Sequence, residues 1–184
     1  SSLVISRHPG HVSDSDSVIY PSKELSRSRV DSIDDLARIR EYLSPMETRR
    51  MGRLMKASLL SAFEALRQAG LEKPDAIVTA TSRGMLEFST CIVVNQEQML
   101  KPTLFMQSTH NTVSSAIAIR LGCHGYNITY SHGDDSSAWA MRDARRLIES
   151  GEARNVLVCS FDETVSELSS DTFFAESIIM TRDE

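Results

Sequence analysis

The sequence has few cysteines, no long hydrophobic run and no excess of basic residues. Its three cysteines, Cys91, Cys123 and Cys159, lie in apolar segments at spacings that match no zinc or redox motif. Their odd number argues against a disulfide framework, so we interpret them as reduced core residues. No apolar stretch approaches the roughly 18 residues of a membrane span, and the N-terminus lacks a basic segment followed by an apolar one. These absences predict a cytoplasmic protein without a membrane span.

Charge and composition indicate which partners and which domain organisation to expect for this protein. The 20 Lys and Arg residues are outnumbered by 25 Asp and Glu residues, which leaves a net charge of −5. Such a field repels nucleic acid and anionic lipid, so neither is an expected partner. With 184 residues, 41% of them hydrophobic, the chain has the size and composition of one globular domain. We therefore predict a single domain over residues 1–184, in which residues 7–35, rich in Ser, Asp and Pro, form a long loop or partly ordered lead-in.

The hydrophobic pattern predicts alternating helices and strands. Ser44, Pro45 and Glu47 form a capping box with proline at the first helical position, and apolar residues then recur at helical spacing as far as Gly70. We predict one long helix there. Further helices are expected at residues 84–98, 112–121 and 136–150, strands at 3–6, 76–80, 126–130 and 155–160, an edge strand at 176–181, and irregular chain at 101–110. Strands that alternate with helices in this way favour an α/β sheet with crossover connections.

Three collinear segments resemble a known family. Residues 43–71 (LSPMETRRMGRLMKASLLSAFEALRQAGL) combine a proline, a basic cluster, an apolar face and a closing A-G-L. Residues 101–129 (KPTLFMQSTHNTVSSAIAIRLGCHGYNIT) contain P-x-x-F, an Asn and a small-residue helix that ends in L-G-x-x-G-x-N. Residues 138–163 (AWAMRDARRLIESGEARNVLVCSFDE) contain a helix, an I-x-x-G-x-A turn and a strand. Together they resemble the β-ketoacyl synthase branch of the thiolase-fold condensing enzymes.

The resemblance implies an α/β thiolase-like half: a mixed, mostly parallel-connected sheet with helices on both faces. The sequence is similar to the short ketosynthase-like and chain-length-factor-like proteins of aryl-polyene or flexirubin-type gene clusters. A single half leaves apolar helix surface in need of cover, so residues 112–121 and 138–148 are expected to lie against a partner.

Two departures from the family bear on activity. An active condensing enzyme carries a Cys at the N-terminus of the helix that corresponds to residues 136–150, where the helix dipole favours the thiolate. The resemblance places Asp134 at that position, and its neighbour His132 is no substitute for the thiol. The chain also ends near the end of the family's first half, whereas the second half supplies the histidines of the reaction.

Each candidate site residue has a structural interpretation beside the functional one. Asp134 replaces the thiolate with a carboxylate, but we favour the simpler interpretation that Asp134 or Asp135 caps the following helix. The resemblance implies that five polar or thioether side chains near helix ends face a subunit interface or an acyl pocket. For several of them, hydrogen bonds that cap a loop are an equally good explanation. This candidate set is Met106, Gln107, Thr109, Asn111 and Ser136.

A second candidate surface is basic. Arg142, Arg145 and Arg146 fall on one predicted helix and suit an acidic acyl carrier protein, but a solvated helix face is the favoured interpretation. The histidines have no recognised zinc spacing, so we predict neither a metal nor a cofactor.

These observations lead to one functional hypothesis and two alternatives. We predict a non-catalytic β-ketoacyl synthase-like subunit that pairs with a condensing enzyme, or with itself, in acyl chain synthesis of the fatty-acid or polyketide type. One alternative is a condensing or acyltransferase subunit that is active only with groups from a partner chain. The other is a free-standing module that binds acyl groups or acyl carrier protein.

Overall fold

The computed structural model describes residues 21–94, 102–165 and 172–183. Strands and helices alternate along these ranges, and no helix within them has the length and apolar character needed to cross a membrane. The elements are β1 (Ser22–Val30), a 3₁₀ helix (Asp34–Glu41), α1 (Pro45–Thr48), α2 (Arg53–Ala69), β2 (Ala76–Ala80), α3 (Leu86–Val94), α4 (Pro102–Gln107), α5 (Thr112–Leu121), β3 (Asn127–Tyr130), α6 (Ser136–Glu149), β4 (Asn155–Glu163) and β5 (Phe173–Arg182).

The described strands form one mixed sheet in the order β1-β5-β4-β2-β3. β2 runs parallel to both β3 and β4, whereas β5 is antiparallel to both β4 and β1. Helices α2 and α5 pack on one face of the sheet, and α6 packs on the other. The α/β class, with a mixed sheet covered by helices on both faces, is therefore confirmed.

Burial on both faces explains why the central strands are almost entirely apolar. Ile77 and Leu157 belong to the hydrophobic cluster under α2 and α5, while their neighbours Val78 and Val158 belong to the cluster under α6. Because successive side chains of a strand point to opposite faces, a strand covered on both sides has no polar face to offer water.

The single long helix expected over residues 44–70 is two helices. The capping box is confirmed at α1, where the backbone N–H of Ser44 donates to Glu47 Oε2 at 2.9 Å, and Gly70 ends α2 in the left-handed conformation. Between them Gly52 is extended, with φ −65° and ψ 168°. A Cβ at this position would lie 2.8 Å from the ring of Phe88. Close packing against α3 therefore bends the chain where the local pattern continues a helix.

The loop expected over residues 7–35 is wrong for the part that the structure describes. Ser22–Val30 form β1, which pairs with β5 along almost its whole length and places Val30 in the core. The polar composition misled the prediction because β1 is an edge strand with one solvated side. The strand expected at residues 3–6 lies outside the described residues.

The last strand is internal, although the sequence predicts it at the sheet edge. β5 has β4 on one side and β1 on the other, so β1 takes the edge. That edge carries Lys23, Glu24, Arg27 and Arg29, and its register shifts at Leu25. Charges and an irregularity of this kind discourage further strand pairing.

The region between β2 and α5 is more helical than expected. The helix predicted over residues 84–98 is confirmed as α3 from Leu86 to Val94; residues 84 and 85 precede it, and residues 95–98 lie outside the described residues. Residues 101–110 were expected to be irregular because of Pro102, but Pro102 is the first residue of α4. Proline is tolerated there because the first backbone N–H of a helix has no intrahelical partner.

Candidate functional site

The carboxyl ends of β2, β3 and β4 meet at one edge of the sheet, as parallel strands require. Asp162, near the end of β4, organises this edge by accepting hydrogen bonds from three donors that follow β2. These are Thr81 Oγ1 at 2.9 Å, the backbone N–H of Ser82 and the backbone N–H of Arg83 at 2.8 Å. The Asp162 carboxylate therefore holds the loop after β2 against β4, and the three donors stabilise its negative charge.

Ser136 joins the loop after β3 to the loop after β2. Its hydroxyl accepts from the backbone N–H of His132 at 2.8 Å and lies 2.6 Å from the carbonyl oxygen of Gly133 and 3.1 Å from that of Thr81. The residue is 1% exposed. Its side chain thus holds the two loops together and is shielded from the surface.

Asp134 lies immediately before α6 and is exposed. It lines a cavity of about 520 Å³ together with Ser82, Arg83 and Asp162. His132 is exposed as well, and its ring lies nearly perpendicular to that of Trp139, at 6.2 Å between ring centroids. Asp135, not Asp134, occupies the N-cap position of α6, and its side chain makes no capping hydrogen bond.

A buried carboxylate closes the back of the same cavity. Glu163, at the end of β4, is 2% exposed; it accepts from the backbone N–H of Glu87 at 2.9 Å and from Arg53 Nε at 3.3 Å. Burial raises the pKa of the Glu163 carboxyl, while the bonds from Glu87 and Arg53 act in the opposite direction. Glu163 therefore ties the first turns of α2 and α3 to the sheet.

Four of the five candidates for an interface or acyl pocket come together on another surface. Met106, Gln107, Thr109 and Asn111 all line one cavity of about 580 Å³ between α4 and α5. Its rim is apolar and solvated, because Phe105 is 65%, Met106 70% and Ile119 80% exposed. We call the exposed side chains Phe105, Met106 and Ile119 the α4–α5 patch. Within the described residues α5 leaves this side open, so the cover by a partner expected for residues 112–121 stays a prediction.

Comparison of the sequence with protein families decides the assignment. The sequence model of the family "Beta-ketoacyl synthase, N-terminal domain" matches residues 8–184. The chain belongs to this family. A search of curated proteins found no significant match.

Solved structures of β-ketoacyl synthase relatives share the fold. A chain of the ketosynthase (ApeO) in complex with its chain length factor (ApeC) from Xenorhabdus doucetiae is 19% identical, with a TM-score of 0.70, over 88% of this chain and 79% of that one. The ishigamide ketosynthase/chain length factor is 18% identical, with a TM-score of 0.64, over 90% and 62%. The 3-oxoacyl-[acyl-carrier-protein] synthase III from Aquifex aeolicus VF5 is 20% identical, with a TM-score of 0.57, over 89% and 55%. This chain thus spans little more than half of the last of these.

None of the three cysteines lies at the tip of α6, the position that the family resemblance assigns to the nucleophile. Cys91 is on α3 and is exposed, Cys123 is buried with its Sγ 3.3 Å from the carbonyl oxygen of Pro74, and Cys159 is buried in β4. Burial raises the pKa of the Cys159 thiol to about 11, which keeps it protonated at neutral pH. The expectation that the cysteines are core residues holds for Cys123 and Cys159 and is wrong for Cys91.

The outer side of α6, the helix whose residues 138–148 are expected to lie against a partner, is basic. The inner side of the helix is already covered by the sheet, through Ala140, Ala144, Leu147 and Ile148. Arg142 lies 4.8 Å above the ring of Trp139, and Arg146 pairs with Asp143 and Glu152. Arg145 is exposed and makes no ion pair within the described residues. The helix is an amphipathic helix with a solvated outer face, as the structural interpretation of these arginines predicts.

Sequence reasoning missed Arg53, Asp162 and Glu163. The available signal was the pair of carboxylates that ends the apolar run at 155–161, at the edge where parallel strands place polar groups together. In the sequence Arg53 is one of several arginines around the start of α2, and only packing singles it out.

Proposed function

We propose that this β-ketoacyl synthase-like chain is a non-catalytic subunit that pairs with a condensing enzyme, or with a second copy of itself, in acyl chain synthesis. The observation that carries the proposal is the tip of α6, where Asp134 stands and no cysteine is in reach. The condensing enzymes that the chain resembles need a thiolate there to accept the acyl group. A carboxylate at that position cannot form the thioester.

Among the described strands, the two outer ones, β1 and β3, favour pairing on one side of the sheet only. β1 is long, charged and irregular, whereas β3 is the four-residue strand NITY without a charged side chain. An uncharged edge with unpaired backbone groups is open to a further strand. Helix α5 packs beside β3, so the apolar α4–α5 patch and this edge lie on the same side of the molecule. A partner that covers both would bury apolar surface and satisfy backbone groups at once.

We expect Phe105→Asp to weaken association by roughly 30-fold or more, the loss typical of a central apolar contact. The measurement is sedimentation velocity of the purified chain, alone and mixed with a full-length ketosynthase. Ile33→Asp is the matched control, because Ile33 is 68% exposed and follows β1 at the opposite edge of the sheet. Pairing through this surface would be contradicted if the chain stayed monomeric with and without the ketosynthase, or if Phe105→Asp and Ile33→Asp weakened association equally.

We expect the purified chain alone to form no carbon–carbon bond from malonyl- and acyl-carrier-protein substrates, as measured by mass spectrometry of the products. When the ketosynthase partner is present, its turnover should be the same with wild-type chain and with Asp134→Asn. Condensation product from the chain alone would refute the non-catalytic proposal.

A partner-dependent condensing or acyltransferase subunit is the second candidate. It is favoured by the exposure of Asp134 in a cavity shared with Ser82 and Arg83, where a carboxylate can act as an acid or base. Asp134→Asn should then reduce turnover of the pair by roughly 100-fold, the typical contribution of a positioned acid or base. The same assay therefore separates the two functions.

A contact with acyl carrier protein would use the outer side of α6. Arg142 is held over Trp139, and Arg145 has no ion pair within the described ranges, so both guanidinium groups are free to meet an acidic surface. Arg146 is a weaker candidate because Asp143 and Glu152 already neutralise it.

A further inference from the structure

A second apolar cavity, of about 790 Å³, lies between α5 and the chain from the 3₁₀ helix to α2. Its volume falls within the range of small-molecule sites, roughly 300–1,000 Å³. Most of its wall is aliphatic, aromatic or thioether surface, which suits an irregular apolar ligand. The apolar wall consists of Leu43, Met51, Met55, Phe63, Ala116 and Ile119.

The rim of this cavity carries a net positive charge. Arg120 pairs with Glu47 at 2.8 Å, and the pKa of Glu47 is lowered to about 2 by hydrogen bonds from Ser44 and by Arg120. This pair therefore stays ionised and neutral overall at physiological pH. Arg50 also lines the cavity, is exposed, and forms no ion pair with any residue that the structure describes. One guanidinium charge thus faces the cavity without a counter-ion.

Two residues of the lining carry buried polar atoms without a partner. Gln107 Oε1 and Tyr42 Oη have no hydrogen bond within the described residues, although nearly all buried polar atoms in proteins are paired. The Tyr42 ring is fixed by stacking on Phe63 at 5.2 Å. Gln107 stands where this cavity adjoins the one between α4 and α5. The site thus combines an apolar wall, an unpaired cation and polar groups that can still accept or donate a hydrogen bond.

We propose that this cavity binds a small amphipathic carboxylate, with its apolar chain between α2 and α5 and its carboxylate at Arg50. An apolar chain removes the thioether and aromatic wall from water, and the carboxylate neutralises the guanidinium. A neutral amphiphile would satisfy the wall but leave the Arg50 charge uncompensated. One chain supplies every group named, but the cavity shares Ile119 with the α4–α5 patch. Phe105 lies in the patch and outside this cavity, so it separates the two proposals.

Isothermal titration of the full chain with decanoate, below its micelle concentration, tests the proposal. We expect saturable binding of decanoate and at least roughly tenfold weaker binding of 1-decanol, in line with the strength of a charge-assisted hydrogen bond. Arg50→Ala should weaken decanoate binding by a similar roughly tenfold factor. Arg49→Ala is the matched control and should bind as the wild type does, since Arg49 is exposed but does not line the cavity.

Ala116→Phe should weaken binding by obstructing the cavity next to α5, and circular dichroism checks that this variant is folded. Phe105→Asp should retain binding, because Phe105 lines only the neighbouring cavity. Loss of pairing with retention of decanoate binding would therefore separate the two proposals. The ligand proposal would be overturned if decanoate showed no saturable binding, or if Arg49→Ala and Arg50→Ala weakened its binding equally. The comparison of these two variants does not depend on whether Ala116→Phe folds.

Discussion

Arg53→Leu is expected to lower the free energy of unfolding by about 3–5 kcal/mol, the usual cost of removing one partner of a buried ion pair. Glu163 has a side chain that is 0% exposed, and Arg53, at 18%, is its cationic partner. Arg53 also donates to the carbonyl oxygen of Thr164 at 3.2 Å. Its loss would leave a carboxylate in the interior with only the backbone N–H of Glu87 to stabilise it. Urea denaturation followed by circular dichroism gives the measurement.

The pH dependence of this loss has a defined sign. Burial raises the pKa of Glu163 above its reference value of 4.5 in the folded protein. Between the unfolded and the folded pKa, the folded state binds more protons than the unfolded state, so the stability falls as the pH rises through that interval. Without Arg53 the folded pKa rises further. The loss of unfolding free energy caused by Arg53→Leu should therefore be greatest above the pKa of Glu163 in the folded variant. It should shrink as the pH falls to about 4.5, because Glu163 is then protonated in the variant.

Two controls make the Arg53 result specific. Adding Glu163→Gln to Arg53→Leu should recover a large part of the loss, because no charge is then left buried. Arg27→Leu removes the partner of both Glu24 and Glu176. Arg27 is 46% exposed and these carboxylates are 41% and 24% exposed, so the change should cost about 1 kcal/mol or less. Losses of equal size for Arg27 and Arg53, or a double variant as unstable as the sum of the single ones, would contradict the buried pair.

Gly125→Ala is expected to cost about 3 kcal/mol or more in the free energy of unfolding. Gly125 lies in the turn before β3, directly against the carbonyl oxygen of Asp75, which precedes β2. A Cβ there would overlap that oxygen, closer than real contacts allow. The neighbouring backbone cannot move away easily, because the N–H of Ile77 donates a hydrogen bond to the carbonyl oxygen of Tyr126 at 2.8 Å. The start of the β2–β3 pair would have to shift.

Gly122→Ala is the matched control three residues earlier. Gly122 ends α5 with φ +58°, and a Cβ there would meet nothing within 4 Å. Alanine at this position carries only the left-handed backbone penalty of roughly 1–2 kcal/mol. Thermal unfolding of both variants compares a steric clash with backbone strain. A smaller loss for Gly125→Ala than for Gly122→Ala would show that the turn and β2 are not in the contact described.

Residues close in sequence were the most predictable part of the candidate surfaces. Met106, Gln107, Thr109 and Asn111 share a cavity because they occupy consecutive turns of the chain around α4 and the start of α5. The sequence pattern favours a core role for the cavity wall that α2 contributes, including Met55 and Phe63. Methionine and phenylalanine at helical spacing signal burial, and their pattern does not distinguish a filled core from an open cavity.

Local pattern was sufficient for the family, the α/β class, the capping box at Ser44, the left-handed end of α2 at Gly70, and the absence of a cysteine before α6. These features are encoded in spacing and residue type over a few turns of chain. Long-range packing was needed to make β1 a strand, to move β5 from the edge to the interior of the sheet, and to break the helix at Gly52 against Phe88. It also brought Arg53 to Glu163 across 110 positions of sequence. Such contacts form only when the whole sheet is assembled, because the energy that stabilises them comes from burial against residues that no short segment contains.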